Sequence, residues 1–121
     1  MRKETRSTNP DWVELVRLLR KKARENNAPI WRDVAKRLSK PRQRRAKVNI
    51  SRLRRHTRQD DQVVVPGKVL GAGLIDHSVT VAAFAFSERA REKILRAKGK
   101  CKLIPDLIKT NPKGTDVKIF G

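Results

Sequence analysis

Between Lys36 and Arg58 the chain carries eleven Lys and Arg residues and no Asp or Glu. They are Lys36, Arg37, Lys40, Arg42, Arg44, Arg45, Lys47, Arg52, Arg54, Arg55 and Arg58, so Arg outnumbers Lys eight to three. A guanidinium fork matches phosphate oxygens with two parallel hydrogen bonds, which suits an Arg-rich run to a phosphate backbone. A merely solvated charged face normally mixes signs, because like charges at neighbouring positions repel. A run without acids points instead to a polyanionic partner.

Other constellations promise less. Pro66-Gly67-Lys68-Val69-Leu70-Gly71-Ala72-Gly73 invites a nucleotide-loop reading. A Walker loop needs Ser or Thr after its Lys, and Val69 stands there. A dinucleotide loop needs a third Gly three residues after Gly73, where Asp76 stands with no helical pattern behind it. Tight turns between short strands explain the stretch, although Lys68 remains able to touch a phosphate. Asp76-His77-Ser78 has the residue types of a catalytic triad, yet adjacent side chains cannot converge on one reacting atom. His56 sits among arginines and suits an RNA contact or a surface position better than a general base. Cys101 is the single cysteine, so no internal disulfide or Cys-pair metal site can form. Neighbouring Lys100 and Lys102 would activate its thiol, but alternation with Leu103 directs it to the core. Two distant His and one Cys make no zinc site. No cofactor, metal or small-molecule substrate is expected.

The whole chain shares the charge bias. Its 121 residues include 31 Lys plus Arg against 12 Asp plus Glu, a formal net charge of +19. Self-repulsion on this scale opposes compaction, and a polyanion relieves it. Three Phe, two Trp and no Tyr argue against recognition by an aromatic stacking sheet. No apolar run reaches the roughly 18–20 residues that cross a bilayer, and Met1-Arg2-Lys3-Glu4 lacks the apolar segment of a secretory signal. No membrane partner is expected, and the lone cysteine is compatible with a reducing cytoplasm.

Elements must position the cations. Residues 1–8 are polar and read as a flexible N-terminus. Asn9-Pro10-Asp11 supplies a cap, a Pro at the first helical position and an early acid. Trp12, Leu15, Val16, Leu19 and Ala23 then recur at helical spacing, with Arg17, Arg20, Lys21 and Arg24 opposite. Pro29 starts a second helix carrying Trp31, Val34, Ala35 and Leu38, so residues 9–39 form a helical hairpin with both Trp in its core. The hairpin superficially resembles a helix-turn-helix. Residues 40–58 form the basic binding segment, with Lys47-Val48-Asn49-Ile50 extended and Leu53 opening a helical turn. Residues 59–121 form the body. Val63–Val65 is one strand, Pro66-Gly67 a turn, and Lys68–Leu70 a second strand. Val79–Phe86 is a strand covered on both faces. Ser87 caps a helix running to about Ala97, with Gly99 as its stop. Cys101–Leu103, a helix over 105–110 and Val117–Ile119 complete an α/β arrangement within a single domain.

The stretch Lys36-Arg37-Leu38-Ser39-Lys40-Pro41-Arg42-Gln43-Arg44-Arg45-Ala46-Lys47-Val48-Asn49-Ile50-Ser51-Arg52-Leu53 strongly resembles the signature of the large-subunit ribosomal protein family eighteen-e of archaea and eukaryotes, related to bacterial large-subunit protein fifteen. Val63–Gly73, Val79–Ser87 with its following helix, and Thr8-Asn9-Pro10 resemble the family too. The likeness covers about residues 7–120. It implies a structural, non-enzymatic protein of the cytoplasmic ribosome, bound to large-subunit rRNA and touching neighbouring ribosomal proteins. It implies an α/β body of irregular strand-strand-helix units, preceded by helices and a basic extended segment. It also implies that Arg42, Arg44, Arg45, Lys47 and Arg52 face rRNA. Lys36 and Lys40 join them as members of the basic tract, and Arg54, Arg55 and Lys68 on charge and proximity. The absence of the long extensions of eukaryotic members favours an archaeal source. The competing reading is a small basic DNA-binding or chromatin protein, which shares the charge but has no need of the Pro-Arg to Arg-Leu signature.

Overall fold

The computed structural model describes residues 10–121, apart from the side chains of Pro10, Asp11 and Arg42. The expected flexible segment 1–8 and the Asn9 cap lie outside the described residues. Two helices open the chain, α1 (Pro10–Glu25) and α2 (Pro29–Leu38). Asn27 turns between them with φ 49, a left-handed conformation that Asn tolerates better than most residues. Pro29 follows at the first helical position, where its missing N–H costs nothing. The stripe Leu15, Val16, Leu19 and Ala23 is buried, and Trp31, Val34, Ala35 and Leu38 are fully enclosed, so the hairpin packs as its periodicity demands.

A 3-10 turn at Arg42–Arg44 leads into β1 (Ala46–Asn49) and α3 (Ile50–His56). Then come β2 (Asp61–Leu70), β3 (Val79–Phe86), α4 (Glu88–Arg96), β4 (Lys100–Leu103), α5 (Ile104–Thr110) and β5 (Val117–Ile119). The strands form one sheet in the order β1-β2-β3-β4, with β5 also on β2, and every pairing is parallel. β1 pairs with Gly67–Leu70 and β5 with Gln62–Val64, so the two short strands lie end to end along one edge of β2. Helices α1, α2 and α5 pack on one face with Val64 and Ala82. Helices α3 and α4 pack on the other with Val63, Val65, Val69, Val81 and Ala83. Alternate residues of β2 and β3 thus feed opposite cores, which explains why both strands are apolar throughout.

Three details differ from the sequence reading. Pro66-Gly67 is no turn: β2 runs straight through, and its register against β3 shifts between Val65 and Lys68. A proline, having no N–H to donate, is tolerated in a strand at such an irregularity. Gly67 is required because a Cβ there would fall on the Ala46 carbonyl of β1. Second, α4 is capped as expected, Ser87 Oγ accepting from the Ala90 amide at 3.1 Å, but Lys98, not Gly99, takes the left-handed turn with φ 66. Gly99 serves close packing, since a Cβ would meet the Val79 carbonyl. Third, Leu103 is 55 % exposed at the end of β4, while Cys101 is half-buried against the α3/α4 core.

Candidate nucleic-acid interface

The basic segment is built around β1. Because Val48 is buried and Lys47 exposed, β1 turns its apolar side to the core and its lysine outward. Lys47 pairs in register with Lys68 of β2. In-register residues on neighbouring strands stand about 5 Å apart, so these two exposed lysines are held side by side. Placing two ammonium groups together costs energy that an anion between them offsets. Among the described residues, no carboxylate lies within salt-bridge reach of Lys36, Lys40, Arg44, Lys47, Arg52, Arg55 or Lys68. All seven are exposed.

The remaining candidates differ. Arg45 is half-buried, with its guanidinium 4.3 Å from the centre of the Trp12 ring and 5.9 Å from that of Phe84. Its Nε donates to the Lys40 carbonyl at 3.2 Å. Arg45 therefore fastens the basic segment to α1. Trp12 is half-buried, packs against the edge of the α1/α2 core and donates its indole N–H to the Leu38 carbonyl, so it joins α1 to α2, whereas Trp31 is fully enclosed. Arg54 is bound through two nitrogens to Asp76, at 3.3 Å each. That partner lies outside the acid-free run and is invisible in the local sequence. Arg37 contacts Asp33 at 3.1 Å and the terminal Gly121 carbonyl. Arg52 also lies over the Phe120 ring, at 5.8 Å. The side chain of Arg42 lies outside the described residues.

The glycine loop after β2 is closed on itself. Lys93 of α4 donates to the Gly71 and Gly73 carbonyls at 2.6 and 2.5 Å. The Ala72 amide donates to Asn49 Oδ1, and the Ala72 carbonyl accepts from the Ser51 amide. Gly73 adopts φ 96 against Ser51, where a side chain would not fit. An anion nest needs free amides pointing outward; here the three carbonyls and the central Ala72 amide are already bound within the protein.

The Asp76-His77-Ser78 stretch gains an unforeseen neighbour, Thr57. His77 Nε2 lies 2.7 Å from Thr57 Oγ1, and His77 Nδ1 lies 3.4 Å from Asp76. The arrangement imitates a Thr-His-Asp triad. However, the Thr57 hydroxyl donates to the Leu53 carbonyl at 2.6 Å, so its proton is not offered to His77. Thr57 is also buried, and the trio latches α3 to the loop before β3. The Arg54 guanidinium, then His77, hold the Asp76 carboxyl below its ordinary range. His56 is exposed beside the Phe120 ring. Burial pushes the Cys101 thiol up, opposite to the activation its lysine neighbours suggested. No helix among the described residues is long and apolar enough to cross a membrane.

A three-layer α/β body edged by exposed cations that lack carboxylate partners among the described residues fits the class of polyanion-binding proteins. Comparison with known proteins narrows it. The family model described as ribosomal protein 60S L18 and 50S L18e matches residues 1–120. The chain is 49 % identical over 113 residues to a large ribosomal subunit protein eL18 of Methanothermobacter thermautotrophicus, covering 93 % of each. It is 48 % identical over 119 residues to that of Methanococcus maripaludis, covering 98 % of this chain and 99 % of the relative. It is 46 % identical over 115 residues to that of Archaeoglobus fulgidus, covering 95 % and 98 %. The chain belongs to this ribosomal protein family.

Proposed function

We propose that the protein is a structural constituent of the large ribosomal subunit, located with it in the cytoplasm, and that its basic segment holds large-subunit rRNA. The observation that carries the interface is the in-register pair Lys47 and Lys68, flanked in the chain by exposed Lys40, Arg44 and Arg52, none with a carboxylate partner among the described residues. These cations neutralise phosphates that repel one another when rRNA strands are brought together. Lys36 and Arg55 extend the set, and Arg42 joins it by position in the sequence. Arg45 acts through geometry, keeping the segment on α1, and Arg54 is shared with Asp76. The free energy of such binding comes largely from counterion release: six to ten phosphate contacts make affinity fall about 10³–10⁵ between 50 and 200 mM salt. Neighbouring ribosomal proteins complete the set of partners.

Sedimentation of native extract through gradients at low and moderately high salt tests this reading. Co-migration with the large subunit that survives the salt wash is expected. Migration with chromosomal DNA, or free at the top, would contradict it.

A further inference from the structure

A second set of cations lies on α1, outside the basic segment. Arg17, Arg20, Lys21 and Arg24 are all exposed, at positions i, i+3, i+4 and i+7 of one helix. At 1.5 Å rise per residue they extend for about 10 Å along one face. Lys21 lies 3.9 Å from Glu25, whose nearer partner is Lys22 at 3.1 Å. Arg17, Arg20 and Arg24 have no carboxylate partner among the described residues. The four cations line a groove of about 380 Å³ together with Trp12, Val13, Val16 and Ser39, the last at the C-terminal end of α2. The groove therefore adjoins Lys40 in sequence, and through Trp12 it touches the Arg45 stack.

The combination is unusual for a solvated helix face. Besides the cations, the groove presents the half-buried Trp12 indole and the half-buried Val13 to solvent. A duplex offers a groove mainly phosphates and 2′-hydroxyls, whereas unpaired RNA also presents the flat apolar faces of its bases. An indole and aliphatic side chains lining a cationic groove match the second kind of ligand.

We propose that this groove seats an unpaired stretch of rRNA, with phosphates on Arg17, Arg20 and Arg24 and base or ribose faces against Trp12 and Val16. The inference rests on the rRNA-binding reading above and adds a site to it. The protein then grips rRNA on two adjoining surfaces, one reading backbone and one admitting bases.

The full chain supplies its own reporter. Trp31 is fully enclosed while Trp12 is half-buried, so quenching of tryptophan fluorescence by added RNA reports the groove. The triple variant Arg17→Ala/Arg20→Ala/Arg24→Ala changes exposed positions to the best helix former, and circular dichroism checks its fold. A twelve-nucleotide single-stranded RNA should quench the wild type and leave the triple variant unquenched, and a duplex of the same sequence should quench neither. On large-subunit rRNA, the slope of log affinity against log salt should fall by about 2, at roughly 0.7 per single-strand phosphate. Protection should be lost at nucleotides other than those released by Arg44→Glu/Lys47→Glu/Lys68→Glu. Unchanged slope and protection in the α1 variant, with the basic-segment variant impaired, would overturn the groove and leave the main interface standing. Equal quenching by duplex would overturn the preference for unpaired RNA. Wild-type rRNA binding by both variants would instead overturn the basic-segment reading, and the groove with it.

Discussion

The basic segment and the glycine loop after β2 both look functional in sequence, and they fold to opposite ends. In the loop, Gly71, Ala72 and Gly73 give their backbone groups to Lys93, Asn49 and Ser51. In the basic segment Arg44 and Lys47, with Lys68 beside them on β2, stay exposed and have no carboxylate partner among the described residues. A phosphate-like motif whose carbonyls and central amide already bind the protein's own groups is a structural device. A charge left without a partner by an otherwise well-satisfied fold is the better mark of a site. The same test divides the segment itself, because Arg45 and Arg54 are occupied within the protein.

The largest effect should come from reversing the unpartnered cations. Arg44→Glu/Lys47→Glu/Lys68→Glu should keep the wild-type melting temperature within a few degrees, since surface substitutions usually change stability by under about 0.5 kcal/mol each. The salt slope of rRNA binding should drop by about 2–3. A filter-binding series over salt concentration reads both slope and affinity. Loss of the fold without loss of slope on refolding would invert the comparison.

The loop is broken through Lys93. Lys93→Ala removes the donor to two carbonyls and should cost about 1–3 kcal/mol, with faster hydrogen exchange at the Ala72 amide. Binding to rRNA should be unaffected once the protein is folded. Urea unfolding with exchange measurements checks both.

Adjacent arginines sharpen the contrast. Arg45→Ala forfeits the stack on Trp12 and should cost about 1–2 kcal/mol of stability. Arg44→Ala should change stability by less than about 0.5 kcal/mol while weakening rRNA binding. Thermal melts paired with binding isotherms separate the two roles.

How far the sequence foretold this depends on the range of the interaction. The hairpin was legible because Leu15, Leu19, Trp31 and Leu38 recur at helical period. The Ser87 cap and the double-faced β3 were legible for the same local reason. The single strand through Pro66-Gly67 was not, because what permits it is the Ala46 backbone of β1, twenty residues earlier in the chain. The candidate interface was legible as a composition, an acid-free run. Its division into free and occupied cations was hidden, since Asp76 reaches Arg54 and Trp12 reaches Arg45 only through the fold. Thr57 carried no signal at all, its partner His77 standing on a different loop.

The smallest effect concerns Asp61. A hydrogen bond from the Arg58 amide and another from Lys118, at 2.8 and 2.9 Å, depress its carboxyl pKa below the ordinary 3.8. A depressed carboxyl stabilises the fold above its unfolded value and loses that contribution as pH falls through the folded one. Asp61→Asn should therefore cost under about 1 kcal/mol at pH 7. The difference from wild type should shrink as the pH drops below about 4. Denaturation at stepped pH follows the convergence.

The central claim is that the unpartnered cations are covered by rRNA in the assembled particle. Acylation of lysines in intact large subunits, compared with the free protein, tests it most directly. The account predicts that Lys40, Lys47 and Lys68 react readily in the free chain and are protected in the subunit, while Lys93, held by two carbonyls, is slow in both. Equal reactivity of Lys47 and Lys68 in the two states would contradict it.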